Sequence, residues 1–176
     1  HQDRANDVAE ALAASNRDAC DAPLIIPVAV HFQNTGIPLD CAIDMAISQI
    51  ESLNEDFAGT NADISEWFDL QPSIWPGIEN KESCISFCLA TLNHPEGYGL
   101  VDGDYAVTVD EVDNDQNDND SDWTGYLNFW VRPLGGGTLG YSPYPGSGNG
   151  DGVTCSPEYF GSVNCGGNAL SAQYDM

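Results

Sequence analysis

Leu24-Ile25-Ile26-Pro27-Val28-Ala29-Val30-His31-Phe32 is followed, between Leu39 and Phe57, by apolar residues at Ile43, Ala46, Ile47, Ile50, Leu53 and Phe57. The first stretch is a short, almost unbroken apolar run, which reads as a buried strand. Pro27 has no N–H to give a ladder, so the spacing suggests a strand start or an edge. The second stretch repeats at i, i+3, i+4, i+7, the pattern of an amphipathic helix with one apolar face. Asp40, following Pro38, stands where an N-cap is expected, and Gly59 stands where a helix stops. A buried strand that leads into a long amphipathic helix begins an α/β fold.

Working outward, residues 60–82 read as irregular around Trp67, Phe68, Trp75 and Pro76. Cys84 to Leu92 reads as a strand, with Ile85, Phe87 and Leu89 alternating against Cys84, Ser86 and Cys88. A third strand fits within Tyr98 to Val109. Tyr126 to Val131 is rich in aromatic residues and reads as a further strand. Gly135-Gly136-Gly137 turns the chain, and Thr138 to Tyr144 returns as another strand. Pro145 to Met176 reads as Gly-, Ser- and Asn-rich loop. The order β-α-β-β-β predicts an α/β fold, a mixed, twisted β-sheet with one long backing helix. Upstream, residues 1–23 form an N-terminal arm, with a short helix over 5–16 placing Val8, Ala9, Leu12 and Ala13 on one face. Residues 24–176 form the body. No internal repeat is present.

Four basic residues face 28 acidic ones, for a formal net charge of -24. Phosphate backbones are repelled by such a surface, which excludes nucleic acid as a partner, and anionic membranes are disfavoured for the same reason. Self-repulsion calls for screening by salt or divalent cations. No apolar run reaches spanning length, so no membrane insertion is expected. The polar, charged N-terminus does not read as a signal peptide, so a secreted protein would be seen here in its mature form. Six cysteines, Cys20, Cys41, Cys84, Cys88, Cys155 and Cys165, include no C-x-x-C pair. Structural disulfides in an oxidising, extracellular setting are the reading they favour. Of about fifteen possible pairings, Cys20 with Cys41 and Cys155 with Cys165 are preferred. Cys84 and Cys88 lie roughly 13 Å apart at strand rise, beyond disulfide reach unless the strand bulges or turns.

The histidines, at positions 1, 31 and 94, show no helical His-Glu-x-x-His spacing, so no catalytic zinc site is assigned. His31 in its apolar strand reads as a core residue, and His94 before Pro95 as a solvated turn residue. There is no nucleophile elbow, and Gly135 to Gly137 lack the Lys and spacing of a phosphate cradle. No catalytic residue is assigned. Asp113, Asp115, Asn117, Asp118, Asp120 and Asp122 present hard oxygen donors in near alternation, as calcium requires. The run lacks the Gly and terminal Glu of an EF-hand, and a solvated acidic loop fits it equally. Asn119-Asp120-Ser121 matches the short N-glycosylation pattern at Asn119.

Taken in order, several segments resemble the pappalysin and cytophagalysin family of metzincin zinc metallopeptidases. Ile26-Pro27-Val28-Ala29-Val30-His31-Phe32 resembles the family's first strand. Gln49 to Phe57, with Thr60-Asn61-Ala62-Asp63, resembles its first helix and exit. Ile85 to Ala90 is similar to the next strand, and Tyr126 to Val131 with Leu134 to Tyr141 to the following hairpin. Asp151-Gly152-Val153 and Tyr159-Phe160-Gly161 are similar to the approach to the active-site helix. The resemblance covers roughly residues 24 to 161 and implies the N-terminal subdomain of a metzincin-like fold, stapled by disulfides. It also implies that Gly137, Thr138, Leu139, Gly140 and Tyr141 form the rim where an extended peptide adds as a strand. The helix that would carry H-E-x-x-H-x-x-G-x-x-H is not reached by Met176. The resemblance therefore implies a scaffold that does not cleave peptides as this chain, with zinc belonging to a C-terminal half. A second reading stands beside it: an extracellular structural or filament subunit that meets another copy of itself through sheet edges and its N-terminal arm, stabilised by calcium.

Overall fold

β1 (Leu24–Gln33) lies inside a six-stranded sheet with neighbours on both sides. The computed structural model describes residues 24–81, 83–111, 121–144, 152–163 and 165. On one side of β1 lie, end to end, β2 (Ile85–Leu89) against its first half and β3 (Val107–Glu111) against its second. On the other side lies β4 (Leu127–Val131), then β6 (Gly152–Cys155), then β5 (Gly140–Tyr141) at the far edge. Every pairing is parallel except β5 with β6, so the sheet is mixed. The long backing helix is α1 (Leu39–Ala58).

The two faces of β1 are buried differently, which is why its sequence reads as a nearly continuous apolar run. Val28, Val30 and Phe32 join Phe129 and Val131 of β4 against Ala42, Met45, Ala46 and Ile50 of α1. On the opposite face Ala29 packs with Ala90, Ala106 and Trp123, flanked by Tyr98, Leu100 and Tyr126. His31 is fully buried on that face, its ring 4.7 Å from Trp123 and 4.3 Å from Trp130. Asn128 Nδ2 donates to the carbonyls of Trp123 and Tyr126, so Asn128 Oδ1 is the acceptor facing His31. His31 Nε2 therefore donates to Asn128 Oδ1 at 3.2 Å, and Nδ1 is hydrogen-bonded to Thr108 Oγ1 at 2.9 Å. The imidazole thus cross-links β1, β3 and β4.

Several expectations need correction. The N-cap of α1 is Pro38, not Asp40; Asp40 sits within the first turn, where its carboxylate accepts the Cys41 N–H at 2.9 Å. Gly59 ends the helix as expected, at φ 67, in the left-handed region open to glycine. The stretch read as irregular contains α2 (Ile64–Ile74). None of its residues is buried and Pro72 lies inside it, so its apolar residues make no core-facing stripe. The tail read as loop contains β6, whose short Gly-Val-Thr-Cys segment is held by β4 and β5 on its two sides.

The expected cysteine pairings are also replaced. Cys41 is bonded to Cys165, with Cα atoms 5.8 Å apart. Cys84 is disulfide-bonded to a partner outside the described residues, while Cys155 is a buried free thiol and Cys88 an exposed one. The reason lies in the path after β6. Cys155 is held in the ladder, and the following chain crosses α1. There the Gly161 N–H donates to Gln49 Oε1 at 2.9 Å and the Ser162 N–H to Ser48 Oγ at 3.0 Å. A Cβ on Gly161 would sit 2.6 Å from the Met45 carbonyl oxygen, so glycine permits the crossing that carries Cys165 to Cys41. The N-terminal arm, including the helix expected over 5–16, and Cys20 lie outside the described residues. No helix among the described residues is long and apolar enough to cross a membrane.

Asn54 of α1 completes the outer side of β2. Its Nδ2 donates to the Phe87 carbonyl at 3.0 Å, and its Oδ1 accepts the Phe87 N–H at 2.7 Å. One amide side chain thus serves the two backbone groups a neighbouring strand would otherwise meet. Asn54→Ala strands both, and is expected to cost about 1–3 kcal/mol, read as a lower urea midpoint with an unchanged m-value.

Candidate functional site

Gly137 to Tyr141 run along the far edge of the sheet. Gly136 and Gly137, at φ 71 and 76, make the turn that precedes β5. The Leu139 carbonyl accepts the Ser156 N–H at 2.8 Å, Gly140 stands opposite Cys155, and Tyr141 stands opposite Thr154. In an antiparallel ladder, alternate residues face the partner strand. Leu139 and Tyr141 therefore face β6, and the N–H and C=O of Gly140 face away from it. Only glycine fits here, because a Cβ would lie 2.7 Å from the Thr154 carbonyl oxygen and 3.4 Å from Cys155 Sγ.

A support for this edge was not legible in advance. Arg132, one of four basic residues in the chain, is buried and donates from Nη2 to Tyr141 Oη. Its Cζ lies 6.0 Å from the Tyr141 ring centroid, and its Nη1 donates to Gln33 Oε1 at 3.4 Å. Ser142 Oγ adds a second tie, donating to the Gly152 carbonyl at 2.8 Å. The edge is thus fixed from β1 and β6 while Tyr141 stays partly exposed. The rarity of arginine in so acidic a chain was the signal available; its partner came only from the fold.

The other candidate residues are not brought to this edge. Asp113, Asp115, Asn117, Asp118, Asn119 and Asp120 lie outside the described residues. Asp122 is exposed and accepts from Tyr98 Oη at 3.5 Å. His94 is not a solvated turn residue: it is half-buried, and its Nε2 contacts the Asp104 carbonyl at 3.0 Å. His31 is locked between Thr108 and Asn128. Among the described residues no three His, Cys, Asp or Glu side chains gather to hold a metal, so they do not fit a zinc centre.

The arrangement, a parallel sheet backed by one long helix with an antiparallel strand at one edge, has close solved counterparts. Mature mirolysin of Tannerella forsythia, in complex with a cleaved peptide, is 28% identical over 85% of this chain and 58% of its own, with a TM-score of 0.56. A mutant of Tannerella forsythia promirolysin is 26% identical over 96% of this chain and 57% of its own, at 0.59. Mirolysin in complex with a small compound is 26% identical over 86% and 59%, at 0.54. The fold is that of a metallopeptidase. Mirolysin is of the pappalysin type, and this chain spans 57–59% of the length of these neighbours. No family model and no curated protein matches the sequence.

Behind the edge, burial pushes the Cys155 thiol from 9.0 up to about 11. Native protein at pH 8 should therefore take iodoacetamide at exposed Cys88 and not at Cys155, read by peptide mass mapping. The unfolded thiol releases its proton near pH 9.0 and the folded one only near 11. The unfolded state binds fewer protons in between, so this thiol's contribution lowers stability as pH rises across that window.

Proposed function

We propose that this chain is the substrate-strand-binding scaffold of an extracellular, pappalysin-type zinc endopeptidase, with the zinc ligands supplied by chain outside these 176 residues. The observation that carries the reading is the β5 edge, antiparallel on an otherwise parallel sheet, with the Gly140 N–H and C=O directed outward. An extended peptide would add there as a further strand, held by main-chain hydrogen bonds that are indifferent to its sequence. Mirolysin, similar over most of this chain, has been captured with a cleaved peptide. The disulfide between Cys41 and Cys165 supports an extracellular setting, and calcium bound by the 113–122 run would offset part of the charge of -24. The promirolysin match takes in 96% of this chain and the two mirolysin matches 85% and 86%. A pro-segment role for the N-terminal arm, residues 1–23, would produce such a difference.

The sheet's open edges favour one other reading, an extracellular structural subunit joining another copy of itself edge to edge. The intact mass and zinc content of the natural protein separate the two. A mass well above 18.8 kDa, bound zinc and chelator-sensitive peptide hydrolysis are expected, with residues 1–176 alone inactive. A natural protein of 18.8 kDa that self-associates and cleaves nothing would overturn the peptidase reading. In the peptidase case, N-terminal sequencing of the active form should show the arm removed.

A further inference from the structure

The sheet has a second edge, and its two strands are finished differently. Along β2, Asn54 occupies the outward N–H and C=O of Phe87. Among the described residues no such side chain meets β3. The Val30 N–H donates to the Ala106 carbonyl, and Val30 stands opposite Val107. In a parallel ladder the residues flanking the opposite one face the neighbour, so Ala106 and Thr108 face β1 while Val107 and Val109 face away. The Val107 N–H is taken by the Tyr105 carbonyl at 2.7 Å. Val107 is only 1% exposed, so its C=O is covered, whereas the N–H and C=O of Val109 remain directed outward, with no backbone partner among the described residues.

These groups open into a cavity of about 570 Å³. Leu39 and Ile43, one turn apart on α1, line the cavity, as do Tyr98, Leu100 and Tyr105 of the loop before β3. Leu39 and Tyr105 are 46% and 42% exposed, so the apolar lining faces water. Asp104 is the charged residue of the lining, and Asp40 and Asp44 follow Leu39 and Ile43 on exposed positions of the helix. Lys81 and Arg132, the basic residues among those described, take no part in the lining. An unpaired strand edge supplies main-chain affinity, the apolar lining takes aliphatic side chains, and the carboxylates select charge. Without cations to screen it, a second copy of a chain with net charge -24 would be repelled, so the complementary occupant of this groove is cationic.

We propose that the groove along the outer edge of β3 binds an extended polypeptide segment with an aliphatic centre and cationic flanks, which pairs with the N–H and C=O of Val109 as an added strand. The site is separate from the β5 edge and does not depend on the peptidase reading.

The test uses acetyl-Arg-Val-Ile-Val-Lys-amide as probe and its glutamate-flanked counterpart as control. Affinity is measured by calorimetry at low salt, and amide hydrogen exchange is followed with and without the probe. The cationic peptide should bind and slow exchange at the Val109 amide, and the acidic control should bind at least about tenfold more weakly. Val109→Pro deletes an N–H that points away from β1, a place where an edge strand tolerates proline. It should weaken the probe by about tenfold or more. Leu39→Lys, at a position 46% exposed, should do the same by adding a repelling charge, and it keeps the test decisive if the proline variant unfolds. Equal affinity for the acidic control, unchanged binding by Leu39→Lys, or protection at the Gly140 amide in place of Val109 would each overturn the proposal.

Discussion

β1 must be covered on both faces, and the rest of the molecule is arranged around that demand. Phe32 and Val30 require α1 on one side; His31 and Ala29 require the Trp123 cluster on the other. Burying one large apolar side chain contributes about 1.5–3 kcal/mol. Lys81 and Glu79 form an ion pair with both side chains mostly exposed, where about 0–1 kcal/mol is typical. The strongly acidic surface therefore does little to hold the fold together. Cohesion comes from the strand that the surface hides.

A sheet assembled around one doubly covered strand still has edges, and these decide what it can do. The outward groups of Phe87 on β2 are closed by Asn54 from within the chain. β5 is short, made close-fitting by Gly140, and anchored through Tyr141 to Arg132. It is rigid where a peptide would be laid down, and it leaves main-chain groups outward. β3 is neither closed nor anchored in this way and opens into an apolar groove with a carboxylate in its lining. Three edges of one sheet are thus finished in three different ways.

The cysteines show how a local reading misses a global path. Proximity in sequence made Cys155 with Cys165 attractive, but Cys155 is fixed in β6 and the chain leaves across α1 through Gly161. A covalent link over 124 residues then joins the start of α1 to the end of the described chain. Burial keeps the Cys155 thiol protonated between two strands.

The sequence by itself determined β1, α1 with its Gly59 stop, and β2 and β4, because burial on a strand or helix imposes a periodicity on the residues that carry it. A resemblance spread over several short segments also singled out Gly137 to Tyr141, where the structure has β5 at a sheet edge. Tertiary structure alone decided the rest. β6 exists because two strands hold it, and α2 makes no buried face for a pattern to mark. Arg132 meets Tyr141, Asn54 meets Phe87 and Cys41 meets Cys165 across gaps of 9, 33 and 124 residues. Periodicity is a local consequence of burial, whereas these partners are set by the route of the whole chain.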